Sequence, residues 1–111
     1  MAGNPAERRL YERHPLRTAV VFEDEFGEGV FYVYSENISV GGLFLASSVP
    51  LRLGTMLFLS FHLPGTKRPL RVTGEVVRVA LPSGRGEGIG IRFVGLPEKI
   101  LSKLEEFLAR V

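Results

Sequence analysis

Val30-Phe-Tyr-Val-Tyr34-Ser-Glu-Asn37-Ile-Ser39-Val-Gly41-Gly42-Leu43-Phe-Leu45 decides how this chain is read, because a β-branched and aromatic run meets a polar glycine turn and then resumes. Runs of that composition bounded by turn residues read as strands. Asn37 carries an amide that both donates and accepts, Ser39 a hydroxyl, and Gly41 and Gly42 permit positive φ and close backbone approach. Such a turn can set backbone amides against a ligand. Taken alone, it also serves as an ordinary strand connection.

Working outward, Arg17 to Glu23 holds the run Thr18-Ala-Val-Val-Phe22, and Asp24-Glu-Phe-Gly-Glu-Gly29 supplies acids and glycines for a turn into Val30. These two runs predict a hairpin. Thr55 to Leu63 is apolar on both faces, with Leu57, Leu59 and Phe61 alternating with Met56 and Phe58, as in a strand covered on one side and partly on the other. Pro64-Gly-Thr-Lys-Arg-Pro69 turns the chain. Leu70, Val72 and Val76 continue one face until Leu81-Pro-Ser-Gly-Arg-Gly-Glu87 interrupts it. Ile89, Ile91 and Phe93 then alternate with Gly88, Gly90 and Arg92 in a last strand. Several short strands with frequent turns predict an all-β fold and a small barrel.

The period changes near the C-terminus. Pro97 suits the first helical position, and Ile100, Leu101, Leu104, Phe107, Leu108 and Val111 share one face at helical spacing, which predicts an amphipathic helix over 97–110. Its apolar stripe is either a lid on the barrel or a surface that docks a partner or a second copy.

Composition bounds the function. With 111 residues and 45% hydrophobic content, the chain has the size of one domain with one core. The absence of cysteine removes disulfide frameworks, thiolate zinc sites and cysteine nucleophiles, and fits a reducing compartment. No apolar leader and no run of roughly 20 apolar residues is present, so the expectation is a cytoplasmic protein without a membrane partner. His14 and His62 are the only histidines, and neither has partners at metal-ligand spacing, so no metal and no cofactor are expected. Asp24 is the only aspartate, no GxSxG elbow exists and no Ser/His/Asp set can be assembled, which argues against an enzyme. The glycine-rich stretch Gly84 to Gly90 lacks the Lys-Ser/Thr ending of a P-loop and reads as a flexible hairpin.

What remains is a binding module, and the arginines say what it would bind. Glu7-Arg8-Arg9-Leu10-Tyr11-Glu12-Arg13-His14-Pro15-Leu16-Arg17 carries four arginines and no lysine. A guanidinium is a planar fork of donors that matches a phosphate or the O6/N7 edge of guanine, whereas an ammonium supplies charge without that geometry. A net charge of +2 is too small for a nonspecific nucleic-acid binder, although residues 8–17 are locally basic.

The spacing Arg9-x-x-x-Arg13, with Arg8 ahead of it, followed by Asn37-x-Ser39-x-x-Gly42, resembles the RxxxR and (D/N)xSxxG motifs of the PilZ domain. The Gly74-Glu-Val-Val-Arg-Val79 and Gly88-Ile-Gly-Ile-Arg-Phe93 strands are similar to that family's closing segments. The resemblance implies a six-stranded antiparallel split barrel that binds the bacterial second messenger cyclic di-GMP. It implies that Arg9 and Arg13 grip phosphates and guanine Hoogsteen edges and that Asn37, Ser39 and Gly42 complete the pocket. Arg8 would add capture of an intercalated nucleotide pair in place of a single one. Arg13-His-Pro-Leu-Arg17 also satisfies RxxxR; Arg9 and Arg13 are preferred because the doubled arginine precedes them and Arg17 would open a strand.

Residues 1–16 are then expected to form a flexible arm bearing the arginine motif, and 17–111 the barrel domain with its helix. Gly41, Arg17, Arg78, Arg92 and His14 are further candidates: the arginines could stack on a guanine face, and His14 on a base. With no output module in a chain of this length, the implied partner is an unidentified effector protein, and the implied processes are motility, exopolysaccharide synthesis or surface behaviour; the chain could act as a monomer or homodimer. Two alternatives stay open: a PilZ-like adaptor working by protein contact without nucleotide, and a small-barrel nucleic-acid binder using Phe31, Tyr32, Tyr34 and Phe44 as a stacking platform.

Overall fold

Alternation of apolar and polar residues at a period of two sets which side of each strand is buried, and the computed structural model, which describes residues 13–27, 29–47, 49–80 and 88–110, follows it closely. The strands are β1 (His14–Pro15), β2 (Ala19–Asp24), β3 (Val30–Ile38), β4 (Gly42–Ala46), β5 (Met56–Phe61), β6 (Leu70–Ala80) and β7 (Gly88–Val94). The helix, α1, spans Glu98–Arg110.

All pairings are antiparallel and run β3-β2-β5-β6-β7-β4, and β4 pairs back onto β3 to close a six-stranded barrel. Closure leaves no open sheet edge among these six. The split barrel with a C-terminal helix expected above is therefore the fold, with one addition. His14 and Pro15 pair with Ile38 and Asn37, so β1 continues along the β3 edge that β2 occupies further on. Between β1 and β2, Ser35 stitches the break: its Oγ donates to the Leu16 carbonyl and accepts from the Thr18 amide at 3.1 Å.

The β2–β3 turn is built by Asp24, whose Oδ1 accepts from the Phe26 amide at 3.0 Å, and by Gly27 at φ 66°, a left-handed position that glycine adopts without strain. Two bulges bend the barrel. One falls between Ser35 and Asn37 on β3, and the other between Val76 and Arg78 on β6. The first keeps both Ser35 and Ile38 in the interior while turning Glu36 and Asn37 away from it.

The core is the inward row of each strand, including Val20, Phe22, Leu43, Leu45, Leu59, Val76 and Ile91. Gly95, at φ 60°, turns β7 toward the helix, and the Pro97 carbonyl accepts from Ile100 and Leu101 to start it. Leu104 is fully buried in the core, with Ile100, Phe107 and Leu108 packed against it. Leu104 thus seats α1 on the barrel, while Ile100, Leu101, Phe107 and Leu108 stay half-buried.

Candidate functional site

The glycine turn between β3 and β4 is built from inside its own backbone. Ser39 N donates to the Gly42 carbonyl at 2.9 Å, and Ser39 Oγ accepts from the Gly41 amide at 3.1 Å. The Gly41 carbonyl accepts from Phe93 N at 2.8 Å, which ties the turn to β7. Ser39 is 4% exposed, so its hydroxyl holds the turn before it does anything else. Neither Gly41 nor Gly42 has positive φ. Gly42 is required for a different reason: a Cβ there would lie 1.8 Å from the Ile91 carbonyl oxygen.

Arg13 reaches this turn from β1. Because Pro15 pairs with Asn37, the residue that precedes β1 lies beside the end of β3, and Arg13 Nη1 donates to Asn37 Oδ1 at 2.8 Å. The two motifs separated by 24 residues are thereby joined through one charge-assisted hydrogen bond. Alongside lies an open cavity of about 390 Å³ lined by Arg13, Ser39, Gly41, Gly42, Val77, Ile91, Arg92 and Phe93. Arg92 stands opposite Gly42 on β7 and pairs with Glu75 across β6.

The remaining sequence candidates fall elsewhere. Arg8 and Arg9 lie outside the described residues. Arg17 stacks its guanidinium 4.5 Å from the Tyr34 ring centre, on the β2 side of β3. Arg78 covers Phe44 at 5.9 Å, and His14 is half-buried in β1 opposite Ile38. Val77 and Glu75 were not singled out from sequence. Val77 is the extra residue of the β6 bulge and is 48% exposed at the cavity, a placement that the doubled Val76-Val77 signals only as a break in alternation.

The aromatic platform is not assembled as one surface. Phe31 is half-buried and stacks on Phe22 at 5.2 Å, and Phe44 is buried under Arg78, whereas Tyr32 and Tyr34 are exposed. A second cavity, about 440 Å³, lies on the barrel wall among Val21, Val30, Phe58 and Thr73, with Glu23 and Arg71 its charged lining groups. No glycine lines it, and its one cation is offset by one acid, which makes it a poor match to an anion. Among the described residues no group of three or more His, Asp or Glu is placed to hold a metal, and no helix is long and apolar enough to cross a membrane.

Comparison with known proteins agrees with this fold. The model of the PilZ domain matches residues 7–110. No curated protein matches the chain. Among solved structures, a Bacillus subtilis inhibitor of motility, MotI/DgrA, superposes with a TM-score of 0.74 at 21% identity over 93% of this chain and 51% of its own. The chain thus spans about half the length of that protein. The PilZ domain of CeSA from a cellulose-synthesizing bacterium gives 0.60 at 23% identity, covering 89% of this chain and 92% of that one. The PilZ domain of YcgR from Escherichia coli, solved with c-di-GMP, gives 0.68 at 15% identity, covering 93% and 90%. At these identities the likeness is one of fold.

Proposed function

This chain belongs to the PilZ domain family, and from that premise we propose that it is a bacterial cyclic di-GMP receptor, active in the cytoplasm, that relays the level of the messenger to an effector protein and performs no catalysis. The observation that carries the reading is the cavity in which Arg13, Ser39, Gly41, Gly42 and Arg92 converge beside the Arg13–Asn37 hydrogen bond. Two arginines beside a backbone-lined glycine turn, Arg13 from the β3 side and Arg92 from β7, suit a phosphate set next to a flat base. The YcgR PilZ domain, which shares the fold, was solved with this compound.

In the proposed mechanism, Arg9 and Arg13 hold phosphates and guanine edges while Asn37 and Ser39 fix the turn that faces them. The segment ahead of β1 acts as the arm that the ligand draws onto the barrel, since His14, Pro15 and Leu16 are already held by β3 and the core. Ordering such an arm costs roughly 1–2 kcal/mol for each backbone residue fixed. Several bidentate arginine contacts, each worth about 1–3 kcal/mol by analogy with guanine readout, offset that cost and leave a micromolar affinity of about 8 kcal/mol. One arginine would not suffice. The bound arm then presents a changed surface to the effector, in motility, exopolysaccharide synthesis or surface behaviour.

Calorimetry with cyclic di-GMP against GMP, GTP and cyclic di-AMP tests the reading. Arg9→Ala and Arg13→Ala should abolish binding, the lysine variants should fail as well, and Ser39→Ala should lose less. Near-native affinity in the lysine variants would refute bidentate recognition. Two nucleotides per chain would support the role given to Arg8, and one would remove it. A shallow dependence of affinity on salt is expected, because an oligonucleotide site would lose affinity steeply.

A further inference from the structure

Arg92 and Glu75 stand in one outward row across the barrel: Gly42 on β4 faces Arg92 on β7, which faces Glu75 on β6. The Arg92 Nη2 donates to Glu75 Oε1, yet Arg92 also lines the cavity that holds Arg13, Ser39 and Gly42. On its other side the row ends at a residue with no side chain, so nothing at Gly42 blocks the guanidinium from turning toward the turn. Resting on the reading of this cavity as a cyclic di-GMP site, we infer that Arg92 is a further ligand-gripping residue and that Glu75 is its internal competitor, an anion that occupies the guanidinium until a phosphate or guanine edge displaces it.

Three physical points carry this. The Arg92 side chain is 60% exposed and that of Glu75 30%, and ion pairs of such exposure are weak, so exchange of one anion for another is cheap. The pair joins one guanidinium nitrogen to one Glu75 oxygen, short of the two-bond fork that a phosphate or guanine edge can make, so the ligand has the stronger grip in the exchange. Finally, a carboxylate beside a cavity meant for an anion opposes binding unless its charge is already matched, and Arg92 matches it only while unliganded. The row therefore sets a threshold: ligand must outcompete a neighbour held in place by the β6–β7 register.

The test is isothermal titration of cyclic di-GMP into the wild-type chain, Glu75→Gln, Arg92→Gln and the double variant, with denaturation midpoints as the check on folding. Glu75→Gln should bind about threefold more tightly, Arg92→Gln at least several-fold more weakly, and Glu75→Gln should confer no gain once Arg92 is absent. Equal or weaker binding by Glu75→Gln would overturn the competition, as would a gain that persists without Arg92, which would be bare charge repulsion. A folded wild-type chain that ignores cyclic di-GMP would instead remove the reading of the site on which the inference rests.

Discussion

Gly42→Ala is the substitution on which the link between fold and site turns. The added Cβ would sit 1.8 Å from the Ile91 carbonyl oxygen, 2.9 Å from its carbon and 3.2 Å from the Arg92 Cα. All three are backbone atoms, so no rotamer change relieves the contact. Since non-bonded atoms settle at about 3.5–4.0 Å, β4 and β7 would have to part by more than an ångström. Overpacking of this kind costs about 1–3 kcal/mol. The hydrogen bonds that bracket the position, Ser39 N to the Gly42 carbonyl and Phe93 N to the Gly41 carbonyl, would stretch, at about 1 kcal/mol for one lost. A loss of about 2–4 kcal/mol follows, or roughly 10 °C or more in Tm for a domain of this size. Urea and thermal denaturation read it directly. Gly90→Ala is the control: its Cβ would meet the Arg78 Cβ at 3.0 Å, a contact that a backbone shift of a few tenths of an ångström relieves, so it should cost less, about 1 kcal/mol. A Gly42→Ala chain no less stable than Gly90→Ala would refute the close-approach argument.

Ser35→Ala should unstitch β1 from the barrel, because it leaves the Leu16 carbonyl and the Thr18 amide without their side-chain partner, at about 1–3 kcal/mol. Hydrogen exchange would show it as faster exchange at Leu16 and Thr18, and unchanged protection there would count against the stitch. Leu104→Ala, which empties the one helix position that is fully buried, should destabilise the chain by about 2–5 kcal/mol in chemical denaturation. A loss under about 1 kcal/mol would mean that α1 does not seal the core.

The alternation of Ile89, Ile91 and Phe93 against two glycines and an arginine was enough to read the last strand, and the helical spacing of Ile100, Leu104 and Phe107 enough to read α1, because burial on one face is a local periodic signal. What a period cannot carry was missed. The strand β1 has two residues, one of them proline, and exists only because Ser35 and the end of β3 supply its partners from about twenty residues away. The two bulges insert a residue without changing composition, so the row Val76-Val77-Arg78 showed a break in alternation but not the exposure of Val77 at the cavity. Glycine at 42 was legible with two candidate causes, positive φ and close backbone approach, and the β7 backbone makes it the second. The same holds for Ser39, whose hydroxyl is committed to the turn.

The structure also separates the two arginine spacings that sequence alone allows. Arg13 and Arg17 lie at opposite ends of the segment that follows β3, and at about 3.3 Å per extended residue four residues span roughly 13 Å. Arg13 ends beside Asn37 and in the cavity wall, whereas Arg17 ends over Tyr34, three residues back along β3 and outside that wall. Between them Leu16 is buried and its amide donates to the Glu36 carbonyl at 3.0 Å, which fixes the separation. A single small ligand seated against Ser39 and Gly41 meets the first guanidinium and not the second. On the function proposed above, the RxxxR pair assigned to this cavity is therefore the one that ends at Arg13, Arg9 with Arg13, while Arg17 packs on Tyr34.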